Sequence, residues 1–204
     1  MAAVKLTKTE QKKQKDQLKR YERYLPTLQL KKQQLQMVIR KVEHEIEGYR
    51  RQQDELYKRL LHWIHVFGEN SSFSKEKNIE NLIIVERIVK KRGNIAGVNI
   101  PIFEDLTFKD IPYDFTEYPL WVDRGIEALK EIAKFDAIIA VLEKQIELLS
   151  HELRITSQRV NLFEKIKIPE AKDNIRRIGI ALGDQQTAAV VRGKIAKNKL
   201  VKVS

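Results

Sequence analysis

Cysteine is absent from the chain, which excludes a disulfide framework and any thiolate-bound metal and fits a reducing compartment. Nowhere do apolar residues run to the roughly 20 that span a bilayer. The opening stretch MAAVKLTKTEQKKQKDQLKR carries charge where a secretory signal would carry its apolar centre. A cytoplasmic protein that is neither secreted nor inserted in a membrane is expected. The phosphate-cradling pattern GxxxxGK[ST] is missing as well, so any nucleotide chemistry would fall to other chains. Aromatic residues make up only 7% of the sequence, which leaves little for the base stacking on which single-stranded nucleic-acid binders depend.

What is abundant is charge. A third of the residues are charged and 42% are hydrophobic, the make-up of a folded soluble protein. The net charge of +11 favours an acidic partner. The excess lies toward the two ends, in KKQKDQLKR at 12–20 and VRGKIAKNKLVKV at 191–203. Dispersed cations there, Lys12, Lys13, Lys15, Lys19, Arg20, Arg192, Lys194 and Lys197, could meet nucleic acid, an anionic lipid surface or an acidic protein cavity, and charge alone does not choose among them.

Two arms follow a strict alternation of three and four residues. The first steps from Leu18 through Tyr21, Leu25, Leu28, Lys32, Leu35, Ile39, Val42, Ile46, Tyr49, Gln53, Leu56 and Leu60 to Trp63. The second steps from Trp121 through Gly125, Ala128, Ile132, Phe135, Ile139, Leu142, Ile146, Leu149, Leu153, Thr156 and Val160 to Phe163. A 3.5-residue period sustained this far demands a supercoiled partner helix. At a rise of about 1.5 Å per residue, each arm would extend on the order of 75–100 Å. Similar lengths and a connecting segment between them predict that the arms fold back on each other, antiparallel, with the seam built on Leu35, Ile39, Val42, Ile46, Ile139, Leu142, Ile146 and Leu149. A parallel dimer is the lesser alternative, since no single buried asparagine marks its register.

Past Phe163 the apolar positions become Ile168, Ala171, Ile175, Ile178 and Leu182, one residue out of step, with Pro169 at the slip. A local unwinding is expected there. Pro26 falls inside the first arm, where a proline removes one backbone hydrogen bond at a cost of about 3 kcal/mol. It predicts a kinked but continuous helix, with a helix start at Pro26 as the alternative.

Between the arms, GENSSFSKEKN at 68–78 breaks the helix, and the β-branched runs around KRGNIAG read as a hairpin of two short strands with a glycine-permitted turn. Pro101 cannot donate to a ladder, so its strand should be an edge or carry a bulge. A hairpin alone is marginal in water. Ile95, Val98, Ile100, Ile102 and Phe103 must therefore pack on the coil or on another protein.

The fold class is thus mainly α, a long antiparallel two-stranded coiled coil with a central β-hairpin and irregular insertion. The expected divisions are an N-terminal coiled-coil helix over 1–67, the loop, hairpin and connection over 68–120, and a C-terminal coiled-coil helix with basic tail over 121–204. His62 and His65 have metal-ligand spacing, but no further ligand completes a site. Glu43 and Glu47 read as a solvated carboxylate pair. No catalytic residue, cofactor or metal is expected.

The stretch NIAGVNIPIFE between two heptad arms, together with SQRVNLFEKIKIPEAKDNIRRI at 157–178, resembles the D subunit of the V-type (archaeal and vacuolar type) ATP synthases. The positions that carry the likeness are Arg159, Val160, Asn161, Glu164, Ile168, Pro169 and Ile175, with Leu28, Lys31, Lys32 and Leu35 near the start. Gln33 stands where that family usually has an acid, and the tail lacks the family's acidic and aromatic run. The resemblance implies a non-catalytic central rotor shaft that couples ATP synthesis or hydrolysis to proton or sodium movement, peripheral to the membrane in a hetero-oligomer. It implies the catalytic A and B subunits around the basic ends, a small F subunit beside the hairpin residues, and a C (d-type) subunit toward the membrane ring. Neither nucleic acid nor direct membrane insertion belongs to that reading. A prefoldin-like chaperone, which also joins two coiled-coil helices through hairpins, and a basic coiled-coil nucleic-acid binder are the competing classes.

Overall fold

The computed structural model describes residues 4–62, 79–109, 111–114, 118, 119 and 121–201. Trp63, His65, Phe67 and the 68–78 stretch lie outside the described residues. The helix α1 spans Lys8–Leu61, the strands β1 and β2 span Ile84–Ile95 and Val98–Lys109, and α2 spans Val122–Leu162. A π-helical turn, Phe163–Lys167, then leads into α3, Ile168–Val201. The chain forms two compact units: a terminal unit, Met1–Gln33 with Arg154–Ser204, and a central unit, Gln34–Leu153.

α1 begins where Thr7 accepts a hydrogen bond from the Glu10 backbone N–H at 3.3 Å, which satisfies one of the four donors orphaned at a helix start. The helix runs through Pro26, so a start at that residue is not what forms. Leu25 and Leu28 on either side are half-buried on the seam, and their burial offsets the hydrogen bond that proline forfeits. Next to it, the Thr27 hydroxyl donates to the Tyr24 carbonyl at 2.7 Å.

In the central unit α1 and α2 pair antiparallel. Gln53 donates to Asp136 at 2.7 Å and Arg50 to Glu143 at 2.9 Å. Val42 and Ile46 bury against Ile139 and Leu142, and Leu35 and Ile39 cluster with Leu149. Residue numbers rise on one helix as they fall on the other. The buried spacing of Leu35, Ile39, Val42 and Ile46 is the predicted alternation of four and three.

The terminal unit continues the same logic with different side chains. Tyr21 packs on Phe163 with ring centroids 5.2 Å apart, and Lys172 pairs with Glu22 at 3.4 Å. Thr156, Val160, Ala171 and Ile178 are buried. Between Val160 and Ala171 lies the π turn, in which the Ile168 N–H reaches the Phe163 carbonyl five residues back. One extra residue is thereby absorbed. The slip at Pro169 is this insertion, and the wider turn brings Ala171 and Ile178 back to the buried face.

The strands are each 12 residues, longer than the short pair expected, and they form a two-stranded antiparallel sheet. Ala96 and Gly97 make the turn with φ of 51° and 81°. Two positive φ values in a two-residue loop give the turn twist that matches the strands. The Gly97 N–H donates to the Asn94 side chain at 3.1 Å. Both strands are sheet edges, and a bulge falls at Glu104, between the pairs Lys90–Phe103 and Val89–Asp105. Pro101 sits opposite Arg92.

Candidate interaction surfaces

A helix that serves only a two-stranded seam buries one stripe. α2 buries two. Besides its seam residues, Ala137, Val141 and Gln145, spaced four apart, are buried, and Gln145 at the end of this second stripe holds the hairpin. Gln145, only 6% exposed, donates from its amide to the Pro101 carbonyl at 2.6 Å. Fifteen residues earlier on the helix, the Lys130 ammonium lies 5.6 Å from the centre of the Phe108 ring. Fifteen helical residues rise about 22 Å, and the seven strand residues from 101 to 108 rise about 23 Å. β2 therefore lies lengthwise along α2, in the opposite direction.

Of the hairpin residues singled out from the sequence, Ile100 is buried with Leu35, Ile39 and Leu149, and Ile95 and Val98 pack half-buried against the same cluster. These three face the coil. Ile102 is 41% exposed, and with the half-buried Phe103 it borders an apolar groove floored by Val42, Tyr49, Ile138 and Leu142. Gly93 leaves room for the Ile102 side chain, whose Cδ1 would stand 2.5 Å from any Cβ built there. All eight seam residues lie in the central unit, and all are buried except Ile146, which is half-buried.

The cations Lys12, Lys13, Lys15, Lys19, Arg20, Arg192, Lys194 and Lys197 are all exposed and all belong to the terminal unit. Over its whole sequence that unit holds 22 Lys and Arg against 7 Asp and Glu, a net +15. The central unit holds 17 against 21, a net −4. From Gly183 to Lys199 every residue of α3 is exposed, including Val190, Val191 and Ile195. A helix of this length with no buried side is marginal alone in water.

At the start of α2, Ile79, Val122 and Ile126 bury together beneath Tyr113, Tyr118 and Trp121. The Tyr113 hydroxyl donates to the Asp123 carboxylate. That hydrogen bond, aided by burial and by the carboxylate's charge, pushes the Tyr113 phenol up to about 12. His62 is exposed just past the end of α1, and among the described residues no group of three or more His, Asp or Glu could hold a metal. Nor is any described helix long and apolar enough to cross a membrane.

Sequence reasoning missed Gln145 and the stripe that it ends. The signal was present as small or apolar residues at i, i+4 outside the heptad positions, but the polar end of that stripe reads as solvent-facing until its acceptor is known.

The chain matches the family model of the ATP synthase D subunit over residues 10–198. It is 54% identical to the V-type ATP synthase D subunit of Borreliella burgdorferi over 202 residues, covering 99% of this chain and 97% of that protein. With the proteins of the same name from Chlamydia abortus and Chlamydia pneumoniae it shares 36% and 32% identity, in each case over 97% of this chain and 93% of the relative. A match of this extent, running through both helical arms and the hairpin, makes the chain a member of the ATP synthase D subunit family.

Proposed function

We propose that the chain is the non-catalytic central shaft of a V-type ATP synthase, turning within a head of catalytic A and B subunits and coupling ATP turnover there to proton or sodium movement through a membrane ring. It would act as a peripheral, cytoplasmic part of the complex. The observation that carries this reading is the exposed, basic stretch of α3 from Gly183 to Lys199 in a unit of net charge +15. A helix with every side exposed needs a surrounding surface, and its charge suits an acidic or polar sleeve in which no single contact is strong enough to stop rotation. Paired helices with interlocked side chains resist twisting better than one helix does, which is the mechanical requirement of a shaft.

The hairpin and its groove are the second element of the proposal. Ile102 and Phe103, which line the groove together with Ile95 and Ile100 but are less buried than Ile100, would meet the small F subunit; Ile95, Val98 and Ile100 would hold the hairpin on the coil. A C (d-type) subunit would join the shaft to the ring.

Removing residues 185–204 together with 1–20 tests the reading. The truncated chain should still pair its helices in the central unit, read as retained helicity and retained melting of that unit. Reconstituted with the catalytic head, it should lower ATP hydrolysis or uncouple it from ion transport. Unchanged coupled activity would rule out insertion of these ends.

A further inference from the structure

We propose that the outer edge of β1 is a strand-addition site for an extended acidic segment of another protein. The inference rests on the hairpin alone and does not require the rotor reading.

The two edges of the sheet are not equivalent. A two-residue turn makes Ile95 and Val98 a hydrogen-bonded pair, and pairs then alternate outward between bonded and non-bonded. Asn94–Asn99, Arg92–Pro101 and Lys90–Phe103 are thereby the non-bonded pairs of the register. Pro101 falls on such a pair, so its missing N–H would have pointed away from β1 and the ladder loses nothing. Its carbonyl points the same way, and that is the oxygen to which Gln145 donates at 2.6 Å. The outer edge of β2 is thus turned toward α2 and is met there by a buried amide.

Among the described residues the outer edge of β1 has no such cover. By the same alternation the N–H and C=O groups of Lys90, Arg92 and Asn94 point away from β2, and all three residues are exposed. No residue of β1 is buried. Among the described residues nothing meets these groups, so they form a row of donors and acceptors of the kind that pairs with an added strand.

Charge selects the occupant. β1 carries Arg87, Lys90, Lys91 and Arg92 against Glu86, all exposed. Two copies pairing edge to edge would set cation against cation, which is destabilising. An extended segment with Asp or Glu on both its faces would pair with Lys90 and Arg92 on one side of the sheet and Lys91 on the other, while its backbone completes the ladder.

Amide exchange of the intact chain, alone and within the assembly purified through a tag on it, tests the proposal. Alone, the inward amides of Lys91 and Gly93 should exchange slowly and those of Lys90, Arg92 and Asn94 fast. In the assembly the latter three should slow at least tenfold. The double variant Lys90→Pro, Arg92→Pro leaves the inward donors in place and should abolish that slowing. The variant Lys90→Glu, Arg92→Glu keeps every outward amide and should weaken the association at least tenfold; it decides the matter if the proline variant loses its Gly93 protection. The proposal is overturned by unchanged exchange at residues 90, 92 and 94 in the assembly, by recovery of the chain with nothing bound, or by protection that grows with the concentration of the isolated chain. Tight binding that survives the charge reversal would overturn the acidic partner.

Discussion

Gln145 shows how one side chain can decide where an element lies. Its amide is buried and meets the carbonyl of Pro101, one of those that the ladder leaves free on the outer edge of β2. Replacing it with alanine removes the donor and leaves the carbonyl of the half-buried Pro101 without it, at a cost of about 1 kcal/mol. Chemical denaturation should register that loss, and the exposure of Ile102 and Phe103 to hydrophobic dyes should rise as the hairpin loosens. A variant as stable as the parent would mean that water replaces the amide and that the apolar cluster around Ile100 holds the hairpin unaided. Proline is equally decisive in the opposite sense, because at position 101 it is tolerated only where the pairing asks for no donor.

Among the elements, the π turn carries the most specific expectation. It absorbs one residue between Val160 and Ala171 and provides a wider turn just before Pro169, whose ring would clash with a regular helix. Deleting Ile166, which is exposed within the turn, together with Pro169→Ala should restore an unbroken α-helix with Ala171, Ile175 and Ile178 still facing α1. The double variant should match or exceed the parent in helicity and melting temperature. Deletion of Ile166 alone, with the proline left in a regular helix, should lose about 3 kcal/mol. If the double variant melts well below the parent, the turn is not a compensated insertion and the seam beyond it depends on the π geometry. The heptad count revealed that a residue was out of step; only hydrogen-bond geometry revealed that the helix stays whole across it.

For the whole molecule the dominant feature is the separation of charge, +15 in the terminal unit and −4 in the central one. Contacts made by exposed cations are screened over about 8 Å at physiological ionic strength, whereas apolar contacts are not. If the basic ends sit in a catalytic head as proposed, raising salt should loosen that contact before it loosens a partner at the hairpin groove. Arg192→Gln, Lys194→Gln and Lys197→Gln combined should flatten the salt dependence of head binding, measured as Kd across a salt series. An unaltered slope would place the electrostatic contact elsewhere on the chain.

Two helical arms, their antiparallel seam, the hairpin between them and the basic ends were all legible in the sequence, because 3.5-residue periodicity, β-branched runs and charge clusters are local signals that survive without knowledge of neighbours. The seam at Leu35, Ile39, Val42 and Ile46 could be read in this way since each residue's role depends only on its place in the repeat. The passage of α1 through Pro26 and the full length of the strands were settled only by the folded structure. Which edge of the hairpin is covered depended on Gln145 meeting Pro101 across 44 positions of chain. A hydrogen bond between distant residues leaves no periodic trace, so only the tertiary structure could decide which face of this chain is closed and which is open to another.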